Sequence, residues 1–190
     1  MPSDDAKSRD CTDAELLLLG LVAEMPRHGY ELDQVIRQRS MREWTQIGFS
    51  SIYFVLGKLQ RLGLIAARKQ AEVNAGTKAR KAYSVTSAGR RVLAKQTVAA
   101  LHDVRPTYSP VLLGMINWPV LKRGQALKAL HARSKALESE VARLGAIQVE
   151  QQPLPDHVEA LFEYSIGQLR AEAEWVSRTL AYMTTKPWLE

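Results

Sequence analysis

The sequence predicts a mainly α-helical protein with a small two-stranded wing, arranged as short elements over residues 1–105 and long helices over 106–190. Three observations lead there. The hydrophobic period switches from helical to strand-like and back between residues 12 and 104. Pro106 and Pro110 then interrupt the pattern, and two long amphipathic stretches follow, joined by a turn that holds Pro153 and Pro155.

Taken in order, Thr12 and Glu15 form a capping-box pattern ahead of the apolar run Leu16–Met25, and Pro26 stops that helix. His28-Gly29-Tyr30 starts the next, where Leu32, Val35 and Ile36 recur at helical spacing; His28 reads as structural, fixing the turn. Gly48 breaks the pattern, and Ser50 or Ser51 is the expected cap of a third helix over 49–63. Ile52, Val55, Leu56, Leu59 and Leu62 share one of its faces. Ser50, Ser51, Tyr53, Phe54, Gly57, Lys58 and Arg61 share the other, and Gly63 ends it. Leu64–Gln70 and Arg80–Val85 read as the strands of a wing over 64–85, with Asn74-Ala75-Gly76-Thr77-Lys78 as its turn. Thr86 caps a further helix from Ser87 to Val104. Three short helices, a hairpin and another helix is the order of a winged helix-turn-helix.

Past the prolines, Val111–Leu121 reads as buried helix. A long helix over Lys122–Gln148 follows, in which Leu127, Leu130, Ser134, Leu137, Val141 and Leu144 step by three and four, a heptad seam with one polar member. Asp156 and Glu159 offer a cap for the last helix, His157–Met183, whose stripe is Val158, Phe162, Ile166, Leu169, Ala173, Val176 and Leu180. Two such helices cannot bury both faces on each other. A second copy is the simplest partner, which makes 106–190 a helical dimerisation domain and the protein a homodimer. In the competing arrangement the helices fold back on the N-terminal part.

Composition narrows the class. The chain has 190 residues, 46 % apolar and 24 % charged, values ordinary for a soluble globular protein. No apolar run approaches the roughly 18–20 residues of a membrane span, and the acidic start Met-Pro-Ser-Asp-Asp lacks the order of a secretory signal. A lone cysteine, Cys11, provides neither an internal disulfide nor a cysteine-based zinc site. The expected location is the cytoplasm, without membrane association. The net charge of +6 lies wholly in residues 1–95, with 16 basic and 10 acidic residues; residues 96–190 carry 10 of each. Within 58–95, ten basic residues face one acid, Glu72. A localised basic block fits a polyanion partner, although it also fits a solvated face.

Several stretches resemble the PadR family of bacterial transcriptional regulators: His28-Gly29-Tyr30-Glu31-Leu32, Ser51-Ile52-Tyr53, Leu56-Gly57-Lys58-Leu59 and Leu62-Gly63-Leu64-Ile65. The wing Gly76-Thr77-Lys78-Ala79-Arg80-Lys81-Ala82-Tyr83 and Thr86-Ser87-Ala88-Gly89-Arg90 continue the resemblance in the same order. Phe54 and Ala79 stand where the family often has proline. The second half, at Ala129–Leu137 and Glu174-Trp175, is similar to the family's larger subgroup with a C-terminal helical dimerisation domain. The resemblance implies a dimeric repressor placing one recognition helix per subunit in successive major grooves of a palindromic operator. Double-stranded DNA is then the partner.

Tyr53 is the first candidate contact: it points away from the core, and the matching family tyrosine touches DNA, while the alternative is packing against the preceding helix. Ser50 and Ser51 sit where free backbone N–H groups favour a phosphate, or serve only as caps. Lys58 and Arg61 face outward, as residues on any exposed helix do. Lys78, Arg80 and Lys81 concentrate charge at the hairpin tip, where a phosphate backbone or minor groove can receive it. Trp118 and Trp175 are candidates for binding a small hydrophobic or aromatic effector, since some family members bind such molecules near the dimer interface; the alternative is that both fill the helical core.

An enzyme reading has little support: no phosphate loop, nucleophile elbow, catalytic His/Asp/Glu constellation or zinc spacing is present, and the scattered His102, His131 and His157 suggest no metal. Neither cofactor nor catalytic residue is expected. The rival reading is a winged-helix protein-interaction module without specific DNA binding. The basic wing and the small Ser/Tyr face of the third helix weigh against it.

Overall fold

The computed structural model describes residues 10–69, 81–104 and 106–186. The chain forms two compact units, Met1–Arg105 and Pro106–Glu190.

The first unit runs α1 (Asp13–Glu24), β1 (Arg27–His28), α2 (Gly29–Gln38), α3 (Phe49–Arg61), β2 (Ile65–Lys69), β3 (Lys81–Val85) and α4 (Ser87–His102). The capping box at the start of α1 is present: Glu15 N donates to Thr12 Oγ1 at 3.3 Å, and Thr12 N donates to Glu15 Oε2 at 2.9 Å. His28 caps α2, its backbone N–H donating to Glu31 Oε2 at 2.7 Å. At the end of α3, Gly63 takes a left-handed φ of 69°. There Gly63 N donates to Gln60 O and Leu64 N to Leu59 O, both at 3.0 Å. This paired 5→2 and 6→1 closure is a Schellman ending and needs a residue tolerant of positive φ. Thr86 caps α4, accepting from Gly89 N at 3.0 Å.

The wing is an antiparallel hairpin in the register Ile65↔Val85 and Ala67↔Tyr83. It carries a third strand that the sequence pattern did not disclose. β1 pairs with β3 through Arg27↔Tyr83, giving the order β1-β3-β2. Two residues are too few for any alternation to register. Leu18, Leu19 and Val22 of α1, Leu32 and Ile36 of α2, Ile52, Leu56 and Leu59 of α3 and Ile65 of β2 meet in one core. None of these helices could stand alone, and shared burial holds them together.

The second unit holds α5 (Pro110–Ile116), a short 3-10 turn Trp118–Val120, α6 (Arg123–Glu150) and α7 (Asp156–Thr185). Every seventh core position of α6 is buried: Leu130, Leu137 and Leu144. Phe162, Ile166 and Val176 are the buried positions of α7. Hydrogen bonds close both ends of the helical pair. Arg123 Nη2 donates to the carbonyls of Met183 and Thr184 at 3.0 and 2.9 Å, covering the negative end of the α7 dipole. At the turn, Gln148 and Gln152 both donate to the Glu159 carboxylate. Glu159 is therefore occupied by the turn rather than capping α7, whose N-cap is Pro155.

One expectation fails outright. The apolar run Val111–Leu121 is helical only over its first part and is not buried, for Leu112, Leu113, Ile116 and Val120 are all exposed. Hydrophobicity marks a surface to be covered but does not say whether the covering lies within the chain. Among the described residues, no helix is long and apolar enough to cross a membrane.

Candidate nucleic-acid interface

α3 turns Ile52, Val55, Leu56 and Leu59 inward and leaves Ser50, Tyr53, Phe54 and Arg61 exposed on the opposite stripe. Its N-cap is Gly48, not a serine, and no side chain caps it. Ser50 and Ser51 instead lie in the first turn, Ser50 exposed and Ser51 half-buried. Their hydroxyls are thus displaced from the capping position by the helix starting at Phe49.

Tyr53 is about half exposed, and the rest of its ring lies over the start of α2. A Cβ at Gly29 would come within 2.6 Å of Tyr53 Cε1, so glycine at 29 is what lets the ring lie there. The Phe49 ring meets Tyr53 edge-on at 5.5 Å, and His28 stacks with Tyr30 at 5.7 Å. The two alternatives for Tyr53 are therefore not exclusive: one part of the ring is packed, the other presented. A partly packed aromatic loses little further freedom on binding.

Lys58 departs from the outward position expected of it. Its ammonium lies 2.5 Å from Oε1 of Glu15, a buried residue of α1. The helix wheel puts Lys58 on the polar side, but its long side chain bends to the acid of a neighbouring helix. Arg61 is exposed, with Nε donating to Gly57 O at 3.3 Å. Lys81 opens β3 and is exposed, whereas Lys78 and Arg80 lie outside the described residues. Arg68, Arg90, Arg91 and Lys95 are exposed as well. By contrast, Arg27, Arg39 and Arg42 make internal ion pairs with Glu24 and Asp33. The outward basic charge of this unit is accordingly concentrated in the segment from α3 to α4.

The loop before α3 is held by a clamp that sequence reasoning missed. Asp33, on α2 and 1 % exposed, receives Arg42 Nη2 at 2.6 Å and also pairs with Arg37. Arg42 Nε donates to Ile47 O at 3.1 Å, so one guanidinium ties α2 to the segment entering α3. The i,i+4 spacing of Asp33 and Arg37 is a readable signal, but the nine-residue reach to Arg42 is not. Burial alone would raise the Asp33 carboxyl above its ordinary 3.8; the hydrogen bonds and charges of Arg42 and Arg37 outweigh it and hold the carboxyl lower. A depressed folded-state pKa contributes stability above the unfolded value and loses it as pH falls through the lowered one. Asp33→Asn is therefore expected to destabilise at pH 7 and to differ progressively less from wild type below about pH 4. Urea unfolding of both proteins at pH 7 and pH 3 checks this, and an equal gap at the two pH values would refute it.

In the second unit, Trp118 and Trp175 are half-buried and pack against one cluster with Leu130, Leu137 and Val176. The fold thus brings the two tryptophans to the same core, 57 positions apart in sequence.

Three helices, the exposed stripe of α3 and a three-stranded wing define a winged helix-turn-helix protein. Residues 18–95 match the model of the transcriptional regulator PadR-like family. Solved structures are similar in fold. The chain is similar to Bacillus subtilis PadR in complex with operator DNA, at 18 % identity over 89 % of this chain and 98 % of that one, with a TM-score of 0.71. The same protein in complex with p-coumaric acid matches at 18 % identity over 90 % and 98 %, with a TM-score of 0.71. The PadR-like transcriptional regulator BC1756 from Bacillus cereus matches at 18 % identity over 92 % and 100 %, with a TM-score of 0.66. Among curated proteins, none matches the sequence.

Proposed function

We propose that the protein is a dimeric transcriptional repressor. It binds a palindromic operator through α3 and the wing, and a small hydrophobic or aromatic molecule releases it. The observation that carries the DNA-binding part is the exposed α3 stripe of Ser50, Tyr53 and Arg61, set in a segment where, among the described residues of the first unit, outward basic charge accumulates. A helix of this size enters a major groove, and Arg68, Lys81, Lys78 and Arg80 are then the phosphate contacts that supply affinity. Ser50 and Ser51, in the first turn of α3, have the backbone N–H groups of a helix start beside them to hold a phosphate. Lys58 has a prior engagement with Glu15, so it contributes to DNA through its field more than by contact.

Dimerisation is supported by apolar side chains left uncovered in the second unit: Leu112, Leu113, Ile116 and Val120. Four exposed apolar side chains within nine residues make the kind of local patch that marks a protein interface. Trp118 and Trp175 on one cluster would make an aromatic site close to such an interface. The relative solved with p-coumaric acid suggests planar phenolic acids as the first effectors to try. The protein would act in the cytoplasm, without catalysis.

One titration tests the whole. Purified protein is added to duplex DNA from upstream of its own gene, at several salt concentrations, beside Tyr53→Ala and Lys78→Ala/Arg80→Ala/Lys81→Ala. The expected result is two chains per specific duplex and affinity well above that for random DNA. The triple variant removes up to six phosphate contacts per dimer and should show a salt slope shallower by about 5. Tyr53→Ala should bind about a hundredfold more weakly or worse, because the dimer loses two hydrogen bonds to charged phosphates, each worth about 1.5–3 kcal/mol. Adding p-coumaric acid should release the DNA and change tryptophan fluorescence saturably. Equal, weak binding to every duplex would instead favour a protein-interaction module.

A further inference from the structure

Two residues on the outer stripe of α3 serve no evident purpose in the fold. Phe54 is 68 % exposed, more than Phe49 or Tyr53 on the same helix. Gly57, one turn on, has no structural need to be glycine, because an added Cβ there would meet nothing within 4 Å. Its φ is not positive either, unlike that of Gly63. Glycine inside a helix costs stability relative to alanine, so a position that tolerates a side chain and lacks one points to close approach from outside. Ser50, Phe54, Gly57 and Arg61 step by four, three and four along one stripe, with Tyr53 at its edge. The apolar ring and the bare backbone are therefore adjacent, with Arg61 one turn further.

We propose that Phe54 and Gly57 form the base-reading part of α3: the Phe54 ring packs on the 5-methyl group of thymine, and Gly57 leaves room for the neighbouring base edge to reach the helix. This assignment rests on the DNA-binding reading above and deepens it. The chemistry selects the target. Of the groups that the four base pairs present in a major groove, the thymine methyl is the apolar one, and all others are hydrogen-bond donors or acceptors. Phe54 has no polar atom with which to satisfy those, so placing it on any base but thymine desolvates a polar edge without replacement. Specificity then has two sources, the apolar packing of ring on methyl at thymine and the stranded polar edge at any other base.

The experiment starts with the full chain selecting duplexes from a randomised pool. Each thymine of the preferred duplex is replaced in turn by deoxyuridine, which removes only the methyl. Affinities are measured for wild type, Phe54→Ala and Gly57→Ala, with melting temperatures beside them. At one or two positions in each half-site, uracil should weaken wild-type binding about fourfold, the worth of one buried methyl. Phe54→Ala should lose affinity overall, keep its melting temperature and be indifferent to uracil at those same positions. Gly57→Ala should melt higher than wild type yet bind about tenfold more weakly, a split that a purely structural glycine cannot produce. A preferred duplex that tolerates uracil everywhere, or an undiminished uracil penalty in Phe54→Ala, sinks this assignment alone. A pool that yields no preferred duplex sinks the DNA-binding reading as well.

Discussion

Gly89→Ala is expected to cost the N-terminal unit about 3 kcal/mol or more, lowering its melting temperature by roughly 12–24 °C. A Cβ at this position would lie 2.0 Å from the carbonyl oxygen of Leu64 and 2.9 Å from Val85 Cγ2. Neither neighbour can withdraw cheaply. Leu64 O accepts from Thr86 N at 3.0 Å and from Thr86 Oγ1 at 3.1 Å, and those bonds fix the start of α4 against the end of α3. Thr86 Oγ1 reaches Gly63 O as well, at 2.7 Å. Moving the Leu64 carbonyl aside would strain this junction, and keeping it would leave an overlap that no rotamer relieves. Calorimetric melting of the variant beside wild type decides the matter; a shift of only a degree or two would mean that the close approach of α4 is not required.

Lys58→Met is the second large expected effect, and it separates two roles for the same residue. Glu15 is 2 % exposed and lies 2.5 Å from the Lys58 ammonium, which is itself only a quarter exposed. Removing one partner of such a pair strands the other charge in a poorly solvated place, at a cost of about 3 kcal/mol. A second change, Glu15→Gln, should recover much of that loss, because it removes the stranded charge and keeps a group able to accept from Thr12 N. If Lys58 were purely a phosphate contact, Lys58→Met would weaken DNA binding and leave the melting temperature unchanged. The measurement is therefore a pair of melting curves and a pair of DNA titrations on the single and double variants.

Much of the architecture was legible because its causes are local. The capping pair Thr12/Glu15, the Gly63 ending and the Thr86 cap each lie within a few residues of what they organise, and all three occur as expected. The two wing strands were marked by the change of hydrophobic period, and they pair as expected; the expected turn Asn74-Ala75-Gly76-Thr77-Lys78 lies outside the described residues. The site was legible less completely. Periodicity separated the buried and outer faces of α3, yet it could not see the Glu15 carboxylate that draws Lys58 inward, nor the ring-over-glycine contact between Tyr53 and position 29. Both depend on how α1 and α2 are placed against α3, and no spacing within α3 encodes that.

Sequence alone determined the class of protein: the order of short helices and wing, the basic share of the first half and the long helical pair of the second. These follow from hydrophobic period, charge and chain punctuation, which act within a few turns of chain. Tertiary structure alone decided the third strand at Arg27–His28, the Asp33–Arg42–Ile47 clamp and the exposure of Leu112, Leu113 and Ile116. Each of these depends on which distant segments meet, or on a face finding no covering segment among those described. Burial is a property of neighbours in space, and a linear pattern can require it without saying where the neighbours come from.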